Sequence, residues 1–471
     1  IEMKKLLKIE NLMYLMIVIS PFLDSFSFIY RNFNPNSTIS PITILRPIIP
    51  IILAIYMFIK YKDTRKIFLV GGILYLVYGV IHLYLYNGLM TEISYGNLLH
   101  EAQYIINYSY MIMVLYIFIY FSKLQKIDYK KLKMSLFIML CGYLFLIYLS
   151  LITNTSSNTY IEGIGYKGWN LSGNSLGSIL ILLECILIPF MFEGNKKFKI
   201  ISLCIMLLLG VFLTFLLGTR VGLFGFYIVL LIYFMGSLFL NFVKKNKINL
   251  KKYLIPIVVV IVIAISLVLV FGSSTLSRRK HLKNIENDLF DPNTNSVAHV
   301  TGDTVKFVTD IMNNNVDEKF MSIPQQKAYL SMYKFANKHE ILNNNQRVQQ
   351  IVYHLNLIKY QKSASLILFG NGYEINYGEM TLEMEFIAIL LNFGIIGFIL
   401  YMVPFLIIDI KAIKYFFKNL KNSKINLIMY LAASFLTIAF SLLAGYTFFN
   451  ASSMIIIVSN HILLKEYYEK E

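Results

Sequence analysis

The chain is dominated by apolar stretches, each long enough to cross a membrane. Hydrophobic residues make up 57% of the 471 residues and charged residues only 15%. A run of about 18 or more apolar residues is typical of a transmembrane helix, because backbone groups in lipid must bond within their own segment. Twelve such spans are predicted, at Leu12–Tyr30, Ile39–Ile59, Ile67–Tyr86, Gln103–Phe121, Met134–Ile152, Leu176–Phe192, Phe198–Leu217, Val221–Val243, Leu254–Phe271, Glu385–Ile410, Ile425–Tyr446 and Phe448–Leu464. With no barrel-like alternation in them, we expect an all-α integral membrane protein with about twelve transmembrane helices.

The distribution of basic residues predicts how these spans are oriented. Lysine and arginine cluster in every second loop and at both chain ends, and these clusters hold 27 of the 43. Because basic loops stay in the cytoplasm, both termini are predicted to be cytoplasmic. The net charge of +17 therefore reports topology, and no nucleic-acid partner is expected, since no basic stripe with interleaved aromatics lies outside the inner loops. The richness in Ile, Asn, Lys and Tyr suggests an AT-rich bacterial genome, and the predicted location is a bacterial plasma membrane.

One long polar segment interrupts the spans. It covers residues 272–384 and carries twelve basic and eleven acidic residues. The charge pattern places it outside the cell, where a large loop favours an enzyme or receptor over a simple pore. We therefore predict spans one to nine over residues 3–271, with Met3 as the expected natural start. A large, mainly helical extracytoplasmic loop follows over 272–384, and spans ten to twelve with a cytoplasmic tail fill 385–471.

The polar outer segments are expected to differ in how much regular secondary structure they contain. Residues Phe271–Val316 lack periodicity and are predicted to be loop with short helical pieces. Gln325–Ile341 and Gln346–Tyr360 carry apolar residues at helical spacing and are predicted helices. The second largest outer loop, Thr153–Asn174, is polar and rich in glycine, so we expect it to be irregular, with backbone groups free to contact a polar ligand.

Charged side chains within or next to the spans are the first candidates for function. Asp24 and Arg46 fall in the outer halves of the first two spans, where they form a mutual ion pair or Arg46 faces an anionic headgroup. Arg220 lies in the tight outer turn before the eighth span. An arginine beside helix-end amides suits phosphate, although an arginine at this depth also snorkels to lipid phosphate.

The polar loop adds a second group of candidates. Arg347 and His354 lie seven residues apart on one predicted helix and so share a face, although a loop arginine is ordinarily solvated surface. Glu383 and Glu385, at the start of the tenth span, suit helix capping or acid–base chemistry. No metal is expected, because the loop shows no HExxH or similar spacing. No cofactor is predicted, and no P-loop or GxSxG motif is present.

Three local motifs follow one another in order. The first, Ser172-Gly-Asn-Ser-Leu-Gly177, opens the sixth span. The second, Thr219-Arg220-Val221-Gly222-Leu223, is a (T/S)-R-x-G-hydrophobic turn. The third is Leu368-Phe-Gly-Asn-Gly-Tyr373, which precedes Glu385-Phe-Ile-Ala-Ile-Leu-Leu-Asn-Phe-Gly-Ile-Ile-Gly397. Together with the loop arginine Arg347, over about Leu171 to Val403, they resemble the O-antigen ligase and Wzy-type polysaccharide polymerase family of membrane glycosyltransferases. The twelve-span plan with its loop between spans nine and ten resembles that family too.

The resemblance implies a GT-C-like enzyme whose donor is a glycan linked through pyrophosphate to a polyprenol. An acceptor hydroxyl attacks the anomeric carbon, inverts it and releases polyprenyl pyrophosphate. Arg220 and Arg347 would stabilise the departing pyrophosphate without metal, with Arg46 near the headgroup. A base must accept the proton of the acceptor. The candidates, in order, are Glu385, Glu383 and His354.

The resemblance does not decide between a polymerase, a ligase and a transporter. Ligases of this family often carry a histidine before the re-entry helix, where this chain has Glu383 or Glu385, and this favours a polymerase. The alternatives are ligase-like transfer of a finished glycan to another acceptor, or a lipid-linked oligosaccharide flippase or transporter. Transporters usually hold substrate at the midplane, whereas the charges here cluster at the outer face. Expected partners are a polyprenyl-pyrophosphate-linked donor and acceptor, membrane lipid and a chain-length regulator.

Overall fold

The structure is a computed structural model. It describes residues 8–35, 40–89, 95–160, 163–244, 250–288, 290–291, 296–297, 303–339, 346–373, 382–443, 445 and 447–469. The predicted start at Met3 lies outside the described residues.

Most described residues are helical. The first half contains α1 (Asn11–Phe33), α2 (Pro41–Leu45), α3 (Ile48–Lys60), α4 (Lys62–Leu89), α5 (Tyr95–Lys123), α6 (Tyr129–Ile152), β1 (Ser157–Asn158), β2 (Tyr166–Gly168), α7 (Gly173–Glu193), α8 (Lys196–Val211), a π-helical turn (Phe212–Leu216) and α9 (Arg220–Val243). The second half contains α10 (Leu250–Phe271), α11 (Ser274–Asp288), β3 (Phe290–Asp291), β4 (Ser296–Val297), α12 (Asp303–Met312), α13 (Ile323–Lys338), α14 (Gln346–Gln361), α15 (Ala364–Phe369), α16 (Glu385–Asn392), α17 (Gly394–Lys418), a 3₁₀ turn (Leu420–Asn422), α18 (Ile425–Leu443) and α19 (Ala451–Tyr468).

The helices confirm the all-α membrane class. Among the described residues, ten helices are long and apolar enough to cross a membrane. The ninth and twelfth predicted spans are also helices, α10 and α19, while the total of twelve crossings stays a prediction. The protein is therefore a multi-pass membrane protein.

The predicted tenth span, Glu385–Ile410, is wrong as a single helix. The structure ends α16 at Asn392, begins α17 at Gly394 and extends α17 to Lys418. Gly394 has a φ of +71°, outside the helical region, so the helix cannot run through it. Glu385 consequently lies on a short separate helix ahead of the long one.

A central helix organises the bundle. Within the apolar window of α7, 94% of residues are buried, against 17% for α4 at the periphery. Helix α7 packs against α6, α8, α9, α18 and α19. The exposed apolar side chains of α4 suit contact with lipid, because hydrocarbon surrounds the outside of such a bundle.

Two predictions about the polar segments are wrong. The Thr153–Asn174 loop, expected to be irregular, contains the antiparallel pair β1–β2, with Ser157 opposite Gly168. Within Phe271–Val316, expected to be loop with short helical pieces, α11 and α12 are regular helices of 15 and 10 residues. The two helices predicted further along are confirmed as α13 and α14, which pack against each other.

Candidate active site at one end of the helix bundle

The arginine turn (Leu217–Gly222) connects the π-helical turn to α9 and carries Arg220, which is exposed. The side-chain oxygen of Thr219 caps α9 by accepting a hydrogen bond from the Gly222 amide at 3.1 Å. Among the described residues, Arg220 has no hydrogen-bond or ion-pair partner. A helix start exposes backbone amides, and with a free guanidinium beside them it suits an anion.

Two neighbouring segments hold the arginine turn in place. From the β1–β2 hairpin, the Thr159 hydroxyl donates to the Leu217 carbonyl at 2.7 Å. From α11, the Thr275 hydroxyl donates to the Thr219 carbonyl at 3.3 Å. The turn is therefore fixed between the hairpin and the start of α11.

Arg278, one helical turn after Thr275, reaches the same place. Its guanidinium lies 3.3 Å from the centre of the Tyr160 ring. That ring in turn lies beside the arginine turn, because a Cβ atom added at Gly218 would be 3.7 Å from it. In the described part of the chain, the buried Nε of Arg278 has no hydrogen-bond partner. A stacked arginine with an unused N–H is suited to a phosphate oxygen. Sequence reasoning missed it because it lies in an ordinary charged run, Arg278–Lys280.

The second predicted arginine, Arg347, pairs with one of the predicted bases. Its Nε donates to Glu383 Oε2 at 3.1 Å, and a second guanidinium nitrogen donates to the Leu443 carbonyl at the end of α18. The two side chains are 35% and 45% exposed, so both are accessible. The Glu383 amide donates to Gln350 Oε1 at 3.3 Å, which fixes it beside α14.

The two predicted arginines belong to the same end of the bundle. Helices α9 and α18 pack together, and a Cβ atom added at Gly236 of α9 would lie 3.2 Å from the Ile428 side chain of α18. In the topology predicted from the basic loops, α9 and α18 cross the membrane in opposite directions. At about 1.5 Å per residue, Arg220 on α9 and Leu443 on α18 each lie roughly 23 Å from that contact, and therefore on the same side of it. Because Leu443 binds Arg347, both arginines lie at one end, which we call the Arg220 end.

Glu385, the first candidate base, is buried. It is 1% exposed. The Tyr108 hydroxyl donates to its Oε1 at 2.8 Å, and the backbone amides of Phe448 and Phe449 also donate to the carboxylate. These bonds tie α16 to α5 and to the segment before α19. A carboxylate with both oxygens used in this way positions helices and is poorly placed to meet an acceptor hydroxyl.

His354, the third candidate base, is also buried. Its Nδ1 lies 3.3 Å from Asn371 Nδ2, and the same amide donates to the His354 carbonyl at 3.3 Å. The imidazole stands edge-on to the Tyr353 ring, with 5.4 Å between the ring centres. It holds the glycine turn (Leu368–Tyr373) against α14.

The glycine turn docks onto the break between α16 and α17. The amides of Asn371 and Gly372 donate to the carbonyls of Leu391 and Asn392, each at 2.9 Å. Gly370 has a φ of +88°, and any side chain there would overlap the Asn392 carbonyl. Two glycine-containing motifs that are separated along the chain therefore form one structural unit.

The chain matches a protein-family model described as "O-antigen ligase like membrane protein", over residues 7–470. This chain belongs to that family. No curated protein and no solved structure shows a significant match. Membership supports a membrane glycan-transfer function, with a glycosyltransferase-like enzyme acting on lipid-linked glycans.

In this O-antigen ligase like protein, a buried histidine–glutamate pair that was not predicted also fixes the glycine turn. His82 Nδ1 lies 2.7 Å from the Phe369 carbonyl oxygen, and its Nε2 lies 2.7 Å from Glu101 Oε1. The other Glu101 oxygen accepts the Tyr373 amide at 2.8 Å. The available signal was that His82 lies within a predicted span and Glu101 just before one, where ionisable groups need partners.

Arg46 forms the ion pair with Asp24 that the sequence allowed. The arginine also donates to Ser452 Oγ at 3.3 Å, and the Tyr143 hydroxyl donates to the second Asp24 oxygen. The Arg46 side chain is 15% exposed. This network joins α1 to α6 and α19, and a role for Arg46 at a lipid headgroup stays a prediction.

Metal-binding side chains are scattered over the described residues. No three His, Cys, Asp or Glu side chains there form a group that could hold a metal ion. The cysteines Cys141, Cys185 and Cys204 are unpaired and lie on three different helices.

We expect Gly370→Ala to lower the stability of this family member strongly. A non-glycine residue at this φ costs about 1–3 kcal/mol, and the added methyl group also displaces the Asn392 carbonyl. Thermal unfolding of the purified protein in detergent measures the loss. Gly71→Ala is the matched control, because a side chain there meets nothing within 4 Å. Equal melting temperatures for the two variants would contradict the docking of the glycine turn.

Proposed function

We propose that this chain is a polysaccharide polymerase that joins polyprenyl-pyrophosphate-linked oligosaccharide units at the Arg220 end, on the outer face of a bacterial plasma membrane. The observation that carries the proposal is the arginine turn, fixed between the hairpin and α11 with Arg278 beside it. A departing pyrophosphate needs preorganised positive charge. Arg220 and Arg278 supply it from neighbouring backbone segments, and Arg347 lies at the same end.

In the proposed reaction, a sugar hydroxyl of one lipid-linked unit attacks the anomeric carbon of another. The new glycosidic bond forms as the bond from that carbon to the pyrophosphate oxygen breaks, with inversion. The leaving polyprenyl pyrophosphate keeps the electron pair, and the arginines stabilise its negative charge. Guanidinium groups stay cationic at any physiological pH and donate in pairs, so the proposal needs no metal ion.

Glu383 is the base that the geometry favours. It is the most exposed of the three candidates, and its carboxylate lies 3.1 Å from Arg347 Nε. An incoming hydroxyl can therefore meet a carboxylate and a guanidinium side by side. Glu385 and His354 are buried and hold neighbouring segments together. We therefore assign proton transfer to Glu383 and positioning to the other two.

Ligation to a different acceptor uses the same chemistry, so the products distinguish the two functions. The test is reconstitution of the full chain in liposomes with a polyprenyl-pyrophosphate oligosaccharide from the native pathway, followed by separation of products by size. We expect a ladder of products from this single substrate. A single shifted band that needs a second acceptor would establish a ligase. Substrate moved across the vesicle membrane without a new covalent product would establish a transporter.

A further inference from the structure

A cavity of about 820 Å³ opens at the end of the bundle opposite Arg220, between the starts of α1 and α6 and the end of α3. Helix α6 runs from the cavity to the Arg220 end and so gives the distance between them. Asp128 caps its start at the cavity, and its other end leads into the hairpin that touches the arginine turn. At about 1.5 Å per residue, the 24 residues of α6 separate the ends by roughly 36 Å. The cavity is therefore distinct from the candidate active site.

The cavity carries more positive than negative charge. Its lining includes the four lysines Lys8, Lys60, Lys126 and Lys131. Within the described residues, only one of these four is ion-paired, Lys126, with its Nζ 2.7 Å from Glu10. The other acidic lining residue, Asp128, is used as a helix cap, accepting the amides of Lys130 and Lys131 at 3.0 and 3.1 Å. Lys60 and Lys131 thus border a space of ligand size without a carboxylate partner among the described residues, while Lys8 lies close enough to Glu10 to stabilise its charge.

Tyrosines complete the polar lining. Lys60 Nζ donates to the Tyr56 hydroxyl at 2.6 Å and lies 5.0 Å from the centre of that ring. Lys126 Nζ donates to the Tyr61 hydroxyl at 2.9 Å. Burial lowers the pKa of Lys126, but its hydrogen bonds to Glu10 and Tyr61 outweigh this and raise the pKa above its ordinary value. The lysines and hydroxyls together offer several donors to a phosphate group.

An apolar surface runs away from this polar lining along α3. Ile55 and Ile59, one helical turn apart, are 54% and 67% exposed and lead directly to Lys60. Such side chains on a membrane helix contact lipid acyl chains. A ligand with a phosphate at one end and hydrocarbon at the other fits both surfaces at once, whereas a free phosphate uses only the cavity.

We propose that this cavity binds the phosphodiester headgroup of an anionic membrane phospholipid, whose acyl chains lie along the exposed face of α3. The unpaired ammonium groups favour a headgroup with net negative charge over a zwitterionic one. In the orientation predicted from the basic loops, the cavity faces the cytoplasmic leaflet, where clusters of basic residues recognise anionic lipids.

The test is native mass spectrometry of the full chain in detergent, titrated with phosphatidylglycerol, with phosphatidylcholine of the same chains, or with inorganic phosphate. We expect saturable binding of one phosphatidylglycerol at the cavity. The double variant Lys60→Gln, Lys131→Gln should bind it on the order of tenfold more weakly, because each basic side chain near an anionic headgroup contributes severalfold. The matched control is Lys197→Gln, Lys421→Gln, which removes two exposed lysines elsewhere on the same end of the bundle.

Each outcome decides the proposal. Weaker phosphatidylglycerol binding in the cavity variant, with unchanged binding in the control, supports it. Equal binding by the two double variants overturns it, because the cavity lysines then do not recognise the lipid. Competition by millimolar inorganic phosphate, with equal retention of phosphatidylglycerol and phosphatidylcholine, also overturns it and makes the cavity a site for free phosphate.

Discussion

Arg220→Ala is expected to lower the rate of glycan transfer by about 10²–10³-fold, because removing one preorganised donor to a developing negative charge has an effect of this size. Arg347→Ala should cause a loss of the same order. The rate is measured in liposomes per amount of folded enzyme, with the size of the products as the readout. Arg220→Lys should recover only part of the activity, because an ammonium group keeps the charge but not the planar pair of donors.

The matched control for these variants is Arg31→Ala. Arg31 is an exposed arginine in the last turn of α1 and pairs with no described residue. Its loss removes a positive charge but no group of the proposed site, so transfer should stay near the wild-type rate. Near-normal activity in both Arg220→Ala and Arg347→Ala would refute the pyrophosphate clamp.

Two neighbouring arginines on α11, Arg278 and Arg279, provide a further test of the pyrophosphate clamp. Arg278 stacks on Tyr160 beside the arginine turn, whereas Arg279 is exposed. Arg278→Ala should therefore reduce transfer at least about tenfold, as expected for a charged donor to phosphate, and Arg279→Ala should not. If the two variants lose activity equally, general positive charge on α11 is what matters, and Arg278 does not belong to the clamp.

Glu383→Gln is expected to lower the rate of transfer by about 10²–10⁴-fold, the usual contribution of a general base. The substitution also removes the ion pair with Arg347. That pair is partly exposed and worth less than about 1 kcal/mol, so the melting temperature should hardly change. Transfer rate and thermal unfolding are measured on the same preparation, and the expected result is a loss of rate without a loss of stability.

Glu385→Gln is the comparison that distinguishes a base from a positioning residue. An NH2 group in place of one carboxylate oxygen leaves at least one of the three donors, the Tyr108 hydroxyl or the amides of Phe448 and Phe449, without its acceptor. An unsatisfied buried donor costs about 1–3 kcal/mol. We expect a clearly lower melting temperature and a transfer rate, per folded molecule, much closer to wild type. Loss of rate at unchanged stability in Glu385→Gln would instead assign proton transfer to Glu385.

The sequence predicts the membrane helices well, because each rests on a long local pattern. Apolar runs and basic loops identify the spans up to α10, although the predicted span Ile39–Ile59 is divided into α2 and α3, and α5 begins at Tyr95, ahead of the predicted Gln103. The break between α16 and α17 escapes this reasoning, because Asn392, Phe393 and Gly394 lie within an apolar run and their conformation depends on the glycine turn. Helix α11 escapes it because its charged run has no apolar periodicity.

The candidate site is only partly visible in the sequence, because it depends on distances across the fold. Arg220 stands out because the short outer loops otherwise contain few basic residues. The pairing of Arg347 with Glu383 is a tertiary contact that spacing does not reveal. The burial of Glu385 and the stacking of Arg278 likewise depend on Tyr108 and Tyr160, which lie far away in the sequence.

The docked glycine turn determines which part of the protein is free to move. The break after α16 leaves carbonyls without helical donors, and the amides of Asn371 and Gly372 take the place of those donors. Lifting the turn away would leave these carbonyls unbonded at the edge of the hydrocarbon, which costs several kcal/mol per group. The glycine turn, which also contacts α14 through Asn371 and His354, is therefore held rigidly in place. In the proposed polymerisation, any motion that admits or releases a glycan is therefore expected in segments other than the glycine turn.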